Sequence, residues 1–208
     1  GIAHTRWATH GKPSKENAHP HSSSDRIALV HNGIIENHDE LRNQLSKQGY
    51  KFLSQTDTEV VVHLLDSIIS QGNDLLSAVK IAVAQLDGAY GLAAISIDQP
   101  DTIICARSGS PLVIGVGIGE NFIASDQLAL RQVTDRFVYL EEGDIAVITP
   151  QRYDIIDSHH NAVSRDTVVM TGSDDSASKG KYRHYMQKEI FEQPIVIANA
   201  LRGRISRN

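Results

Sequence analysis

Asp74-Leu75-Leu76-Ser77-Ala78-Val79-Lys80-Ile81-Ala82-Val83-Ala84-Gln85-Leu86-Asp87-Gly88-Ala89-Tyr90-Gly91-Leu92-Ala93-Ala94-Ile95-Ser96-Ile97 is the stretch in which the chain changes character. Up to Asp87 it reads as a helix over about 74–87, stopped by Gly88. From Ala89 it reads as a β-rich run. Two further helices precede it. One spans about 38–48, with Asn37 as N-cap, Glu40 three residues on and Gly49 past its end. The other spans about 57–71, with Thr56 and Glu59 as a capping box and Gly72 as its stop. After Ala89 come short β runs at 90–97, 102–107, 112–117, 121–125, 136–140, 144–149 and 152–157, with Glu141-Glu142-Gly143-Asp144 a hairpin signal between two of them. Helices grouped before a series of strands favour α+β layers over alternating βαβ units.

Toward the N-terminus, Gly1–Ala8 reads as a strand already under way, residues 9–25 as a polar loop, and Ile27–His31 as a short strand ending in Asn32-Gly33. Toward the C-terminus, residues 171–181 read as a loop or linker and 182–208 as a helical segment interrupted at Pro194. No internal repeat is visible. The chain has 208 residues, 40% apolar and 22% charged, the balance of a soluble globular protein. No apolar run approaches the ~20 residues of a membrane span. The single cysteine, Cys105, excludes an internal disulfide and a multi-cysteine metal site, and a reducing, cytoplasmic setting follows. Net charge is −5, but residues 179–208 carry +5, leaving −10 on the first 178. A basic tail on an acidic body reads as a solvated connector, and the acidic total argues against a nucleic-acid partner.

Six of the ten histidines fall within the first 38 residues, so chemistry is expected there. Three clusters stand out. In His4-Thr5-Arg6-Trp7-Ala8-Thr9-His10-Gly11, continuing through Asn17-Ala18-His19-Pro20-His21, Arg6 is either a fork of donors for a carboxylate or phosphate, with a lid after it, or a surface residue beside a core-anchoring Trp7. Asn32-Gly33 is the commonest tight-turn dipeptide; alternatively the Asn amide and the next backbone N–H converge as an oxyanion site. Asp57, in Thr56-Asp57-Thr58-Glu59, belongs to a helix cap and is also placed to hold a ligand ammonium. A histidine metal site drawn from His19, His21, His4, His10, His31 or Asp57 lacks any recognised spacing, and none is expected. Cys105, inside an apolar strand, reads as a buried structural thiol.

Together with His31-Asn32-Gly33-Ile34-Ile35-Glu36-Asn37, Ser108-Gly109-Ser110-Pro111-Leu112, Ala124-Ser125-Asp126-Gln127 and Tyr182-Arg183-His184-Tyr185-Met186-Gln187-Lys188-Glu189, these motifs resemble the glutaminase domain of the glutamine–fructose-6-phosphate aminotransferases, which are class II glutamine amidotransferases. The resemblance covers essentially the whole chain. It implies an N-terminal-nucleophile hydrolase fold, a four-layer αββα sandwich, here without its opening strands. It implies that the parent hydrolyses L-glutamine to glutamate and passes ammonia to fructose 6-phosphate in a further domain, without cofactor, as a homodimer. By similarity Arg6 binds the α-carboxylate of glutamine and Asp57 its α-ammonium. Thr9, His10 and Gly33 assist, Asn32 and Gly33 form the oxyanion hole, Trp7 belongs to a lid, and His19 supports that lid.

One departure is expected to matter. Such enzymes attack with an N-terminal cysteine whose own amine is the base, whereas residue 1 here is glycine and Cys105 fits no nucleophile motif. Residues 1–170 therefore read as a glutaminase domain without its nucleophile segment, inactive alone. The alternatives from other classes are a non-catalytic glutamine- or glutamate-binding module and a histidine-metal hydrolase.

Overall fold

The computed structural model describes residues 1–6, 11–170 and 179–201, the last four of these in backbone only. Its elements are β1 (His21–Ser23), β2 (Ile27–Ile35), α1 (His38–Lys47), α2 (Asp57–Ile69), α3 (Leu75–Val83), β3 (Gly88–Ser96), β4 (Ile103–Ser108), β5 (Val113–Val116), β6 (Asn121–Ala124), a 3-10 turn (Gln127–Ala129), β7 (Arg136–Tyr139), β8 (Ile145–Ile148), β9 (Tyr153–Ile156), β10 (Ala162–Val163), β11 (Thr167–Val169) and α4 (Tyr185–Leu201). The helix-then-strand order is the one expected. Strands order as β1-β2-β3-β4-β8-β9-β10 in a seven-stranded sheet and β11-β7-β5-β6 in a four-stranded one.

Side-chain alternation along the strands builds two separate layers of core. Ile27, Leu29, Leu92, Ala94, Ile104 and Ala106 point from the seven-stranded sheet toward α1–α3. Ala93, Cys105 and Ala146 point the other way, onto Leu112, Ile114, Val138 and Leu140 around the four-stranded sheet. Val113 and Phe137 then pack with Leu130, next to the 3-10 turn. The result is an α+β sandwich. All thirteen residues of α2 are buried, as a helix sheathed by α1, α3 and the sheet must be.

A sealed polar network ties the edge strand β1 to α2. Ser23 Oγ lies 2.8 Å from His63 Nδ1, and Asp66 Oδ2 accepts from the hydroxyls of Ser23, Ser24 and Tyr50. Burial and the Asp66 charge push the Tyr50 phenol up to about 12. Ser23 and His63 are both buried, so this serine–histidine pair is a structural tie.

Several local expectations are corrected. Residues 1–6 form no strand: Arg6 has φ 48°, and its N–H donates to His4 Nδ1, a local bond that replaces ladder pairing. Asn32-Gly33 is not a turn. β2 runs on to Ile35, with Asn32 opposite Gly91 and Gly33 opposite Tyr90, and only Gly33 of the two has positive φ, whereas a type I′ turn needs both. Residues 141–144 do turn, Asp144 N–H donating to Glu141 O, but the turn carries the chain from β7 in one sheet to β8 in the other and closes no hairpin. Buried Asp144, held by Arg165 and by the Glu141 N–H, fixes that crossing. Asn37 is the N-cap of α1 without capping by its side chain, which instead reaches Gln85 O and Asp87 N. The two compact units are Gly1–Met170 and Thr171–Asn208. In the second, α4 continues through Pro194, which removes one backbone donor without ending the helix.

Candidate active site

The N-terminus of α2 is assembled by its own first turn. Thr56 Oγ1 accepts the Glu59 N–H at 3.2 Å, half of the expected capping box. The other half is redirected: the Glu59 carboxylate accepts from Leu53 N, Ser54 N and Ser54 Oγ at 2.6–2.8 Å. Burial raises the Glu59 pKa, but bonds from His63, Ser54 and those backbone donors outweigh it and hold the group down at about 2. The turn at 53–56 is thus a rigid shelf. Arg42, stacked on Phe52, completes it by donating to Ser54 O and Thr56 O.

Asp57 stands on that shelf, buried, at the positive end of the helix dipole. Its Oδ2 accepts the Ile35 N–H at 2.9 Å and its Oδ1 the Thr58 N–H at 3.1 Å, clamping the helix start to the end of β2. These two backbone donors fix the orientation of a carboxylate whose charge is of the sign that complements an ammonium. His31, on β2, bonds Thr58 Oγ1 through Nδ1, which also lies 3.8 Å from Asp57 Oδ2.

Gly33 lies against the β3 backbone with no room for a side chain. A Cβ there would sit 2.0 Å from Ala89 O, and φ is +137°, so only glycine fits. Asn32 beside it is exposed. Arg6 donates from Nη1 to Lys12 O and from Nη2 to Gly11 O, both at 3.3 Å. The His19 ring lies tilted against His4 at 4.5 Å and edge-on to His21 at 5.2 Å between ring centroids.

These elements enclose one cavity of about 290 Å³, lined by His4, Arg6, His19, His31, Asn32, Gly33, Ile34, Thr56, Asp57 and Thr58. Arg6, His19, Asn32, Gly33 and Asp57, drawn from three separated motifs, therefore share a single pocket. Trp7, Thr9 and His10 lie outside the described residues. Thr58 and His31 were not assigned to the site beforehand; their signal was position, one beside Asp57 and the other beside Asn32. Cys105 is fully buried on β4, and burial pushes its thiol up to about 12. No group of three or more His, Cys, Asp or Glu side chains that could hold a metal forms among the described residues. No helix among them is long and apolar enough to cross a membrane.

Burial holds the His19 ring neutral. Burial, then the neighbouring His4, His21, His31 and Arg6, pull His19 down to about 3. A base whose folded pKa is lowered favours the folded state fully above its ordinary value and loses that contribution as pH falls toward the lowered one. Glu59, also lowered, acts in the same direction from about pH 4.5 downward. The melting temperature should therefore fall as pH drops below about 6.5, with a second loss below 4.5. For the half-exposed His19 ring the loss should be on the order of 1 kcal/mol, or 2–4 °C in a domain this size. His19→Gln should flatten the first step; a step unchanged in that variant would assign it elsewhere.

The arrangement offers an anionic carboxylate, a guanidinium and an exposed amide beside a close-packed glycine, the complement of a zwitterion carrying an amide. The family model of the glutamine amidotransferase domain matches residues 4–132, more than half the chain. The chain belongs to the glutamine amidotransferase family. It is 62% identical over all of its length to a glutamine–fructose-6-phosphate aminotransferase (isomerizing) of Pseudomonas aeruginosa, and 58% identical over 99% of its length to that of Escherichia coli K12. In each case it spans 34% of the relative. Among solved structures, the glutamine phosphoribosylpyrophosphate amidotransferase of B. subtilis, complexed with ADP and GMP, superposes with a TM-score of 0.62 at 29% identity. The match covers 76% of this chain and 35% of that one.

Proposed function

We propose that the pocket binds L-glutamine and supports hydrolysis of its side-chain amide, as the glutaminase half of a protein that passes the ammonia to fructose 6-phosphate and yields glucosamine 6-phosphate. The convergence of Arg6, Asp57, Asn32 and Gly33 on one 290 Å³ cavity carries this reading. Arg6 binds the α-carboxylate and Asp57 the α-ammonium; Thr9, His10 and the Gly33 backbone assist that binding, Trp7 belongs to a lid over the ligand, and His19 supports the lid. As a cysteine sulfur adds to the amide carbon, the Asn32 side chain and the Gly33 N–H take the charge on its oxygen. Collapse breaks the C–N bond, the nitrogen leaving as ammonia with the proton given up by the thiol, and water then cleaves the thioester to release glutamate. Cys105, sealed in the core with its thiol pushed up to about 12, is not suited to attack; the family resemblance implies a cysteine nucleophile at the mature N-terminus, with its own α-amine as base. Residues 1–208 alone then orient glutamine without cleaving it. Residues 1–170 form the glutaminase domain, 171–181 a linker, and 182–208 lead toward a sugar-isomerase domain; the whole acts in the cytoplasm as a homodimer without a cofactor.

The test uses the full-length protein. Arg6→Ala and Asp57→Asn should each raise KM for glutamine by roughly 10- to 150-fold, the loss of one charge-assisted partner of about 1.5–3 kcal/mol, and leave fructose 6-phosphate binding unchanged. Asparagine keeps an acceptor for the cap while removing the charge. Normal KM values in both variants would refute the clamp and leave Asp57 as a helix cap.

A further inference from the structure

Asn17 is almost wholly buried, yet it sits in a polar loop and lines no part of the pocket. A buried amide must be bonded, and where its bonds go is informative. Its Oδ1 accepts the Gln55 N–H at 2.8 Å. Its Nδ2 donates to Lys12 O at 2.9 Å and reaches Gln55 Oε1 at 3.4 Å. Gln55 belongs to the shelf beneath Asp57, pinned from the other side by Glu59 and Arg42. Lys12 O and its neighbour Gly11 O are the two carbonyls that receive the Arg6 guanidinium. One unbroken path of bonds therefore runs from the base of Asp57, through Gln55 and Asn17, to Arg6.

The packing is as tight as the bonding. Gly11 has φ +75°, and a Cβ on it would meet Asn17 Nδ2 at 2.7 Å and Gln55 Cβ at 2.8 Å. Even a methyl group at Gly11 would pry Asn17 away from Gln55. The bonds and the glycine thus point independently to a fixed spacing between loop 11–17 and the start of α2.

We propose that Asn17 is a positioning residue for substrate binding: it sets the separation of Arg6 and Asp57, the two charges that grip the α-carbon substituents of the amino acid. The proposal rests on the glutamine reading of the pocket. A zwitterion is recognised only if both charges are met at once, so a loose Arg6 weakens binding and blurs discrimination between L- and D-enantiomers, while the oxyanion donors on β2 stay in place. Asn17 acts through Arg6 and not on the reacting amide.

In the full-length protein, Asn17→Asp keeps the acceptor for Gln55 N–H but sets an oxygen against Lys12 O and the Gln55 side-chain carbonyl, cutting the arm to Arg6 while the backbone bond to Gln55 remains. KM for L-glutamine should rise about tenfold, the equivalent of one lost hydrogen bond, with kcat within about threefold of the wild type. In an Arg6→Ala background the same substitution should add less than about twofold, because the two residues act in series. A wild-type KM in Asn17→Asp, a full tenfold effect persisting without Arg6, or a loss in kcat alone would each overturn the proposal. Amide hydrogen exchange at Gln55 and Lys12–Asn17 provides a readout that needs no substrate. Faster exchange across 12–17 with Gln55 still protected supports the one-armed latch, and unchanged exchange across 12–17 refutes it. If the wild-type protein neither binds nor hydrolyses L-glutamine, the functional reading fails, while the exchange result still decides the latch.

Discussion

Replacing Asn32 with alanine in the full-length protein lowers kcat for glutamine hydrolysis about 10²–10³-fold and leaves KM for glutamine nearly unchanged. The size follows from what an oxyanion donor does: its bond strengthens as the carbonyl oxygen gains charge, so its loss is felt in the transition state and not in the ground-state complex. The selectivity follows from the structure. Asn32 holds its place in β2 through backbone pairing opposite Gly91, and it is exposed and lines the cavity. The variant should accordingly melt within a degree or two of the wild type. A preserved kcat with a depressed melting temperature would instead make Asn32 a structural residue.

Gly33→Ala is the largest stability change expected. The new methyl group would lie 2.0 Å from Ala89 O and 2.8 Å from Ala89 C, at a φ of +137°. Overpacking against rigid backbone and left-handed strain each cost about 1–3 kcal/mol, so a loss of about 2–6 kcal/mol is expected, on the order of 10 °C. Gly49→Ala supplies the control: φ is +97° there, but nothing lies within 4 Å, so only the strain term of about 1 kcal/mol applies. If the two variants melt alike, close approach of β2 to β3 is not what demands glycine at position 33.

This glycine also marks the limit of what the sequence reveals. Asn-Gly is a turn signal locally, and the turn loses only because nine residues of β3 offer β2 a continuous partner, a long-range fact. The helix α2 was legible because its cap is local, Thr56 accepting from Glu59 N, whereas Asn37, read as the cap of α1, spends its side chain on Gln85 and Asp87. The strands of 90–157 were legible from apolar runs between turn residues, but not the sheet each would join. Residues 141–144 are a true turn that connects two sheets. β1, β10 and β11 lie outside the β runs read from the sequence, because strands of two or three residues carry too little pattern without their neighbours. In the site, the motif residues were legible as types; their common pocket joins residues as far apart in sequence as His4 and Thr58, and the Asn17 path joins residues 38 apart.

The central claim is that one zwitterionic amino acid spans Arg6, Asp57 and Asn32-Gly33 in a single pose. A crystal structure of the full-length protein with L-glutamate bound tests it most directly. The account predicts the α-carboxylate on the Arg6 guanidinium, the α-ammonium on Asp57, and the γ-carboxyl group within hydrogen-bond reach of the Asn32 side chain and the Gly33 N–H. A ligand seated outside this cavity, or one whose γ-carboxyl group lies on Arg6 with its α-carbon turned toward Asn32, would contradict it.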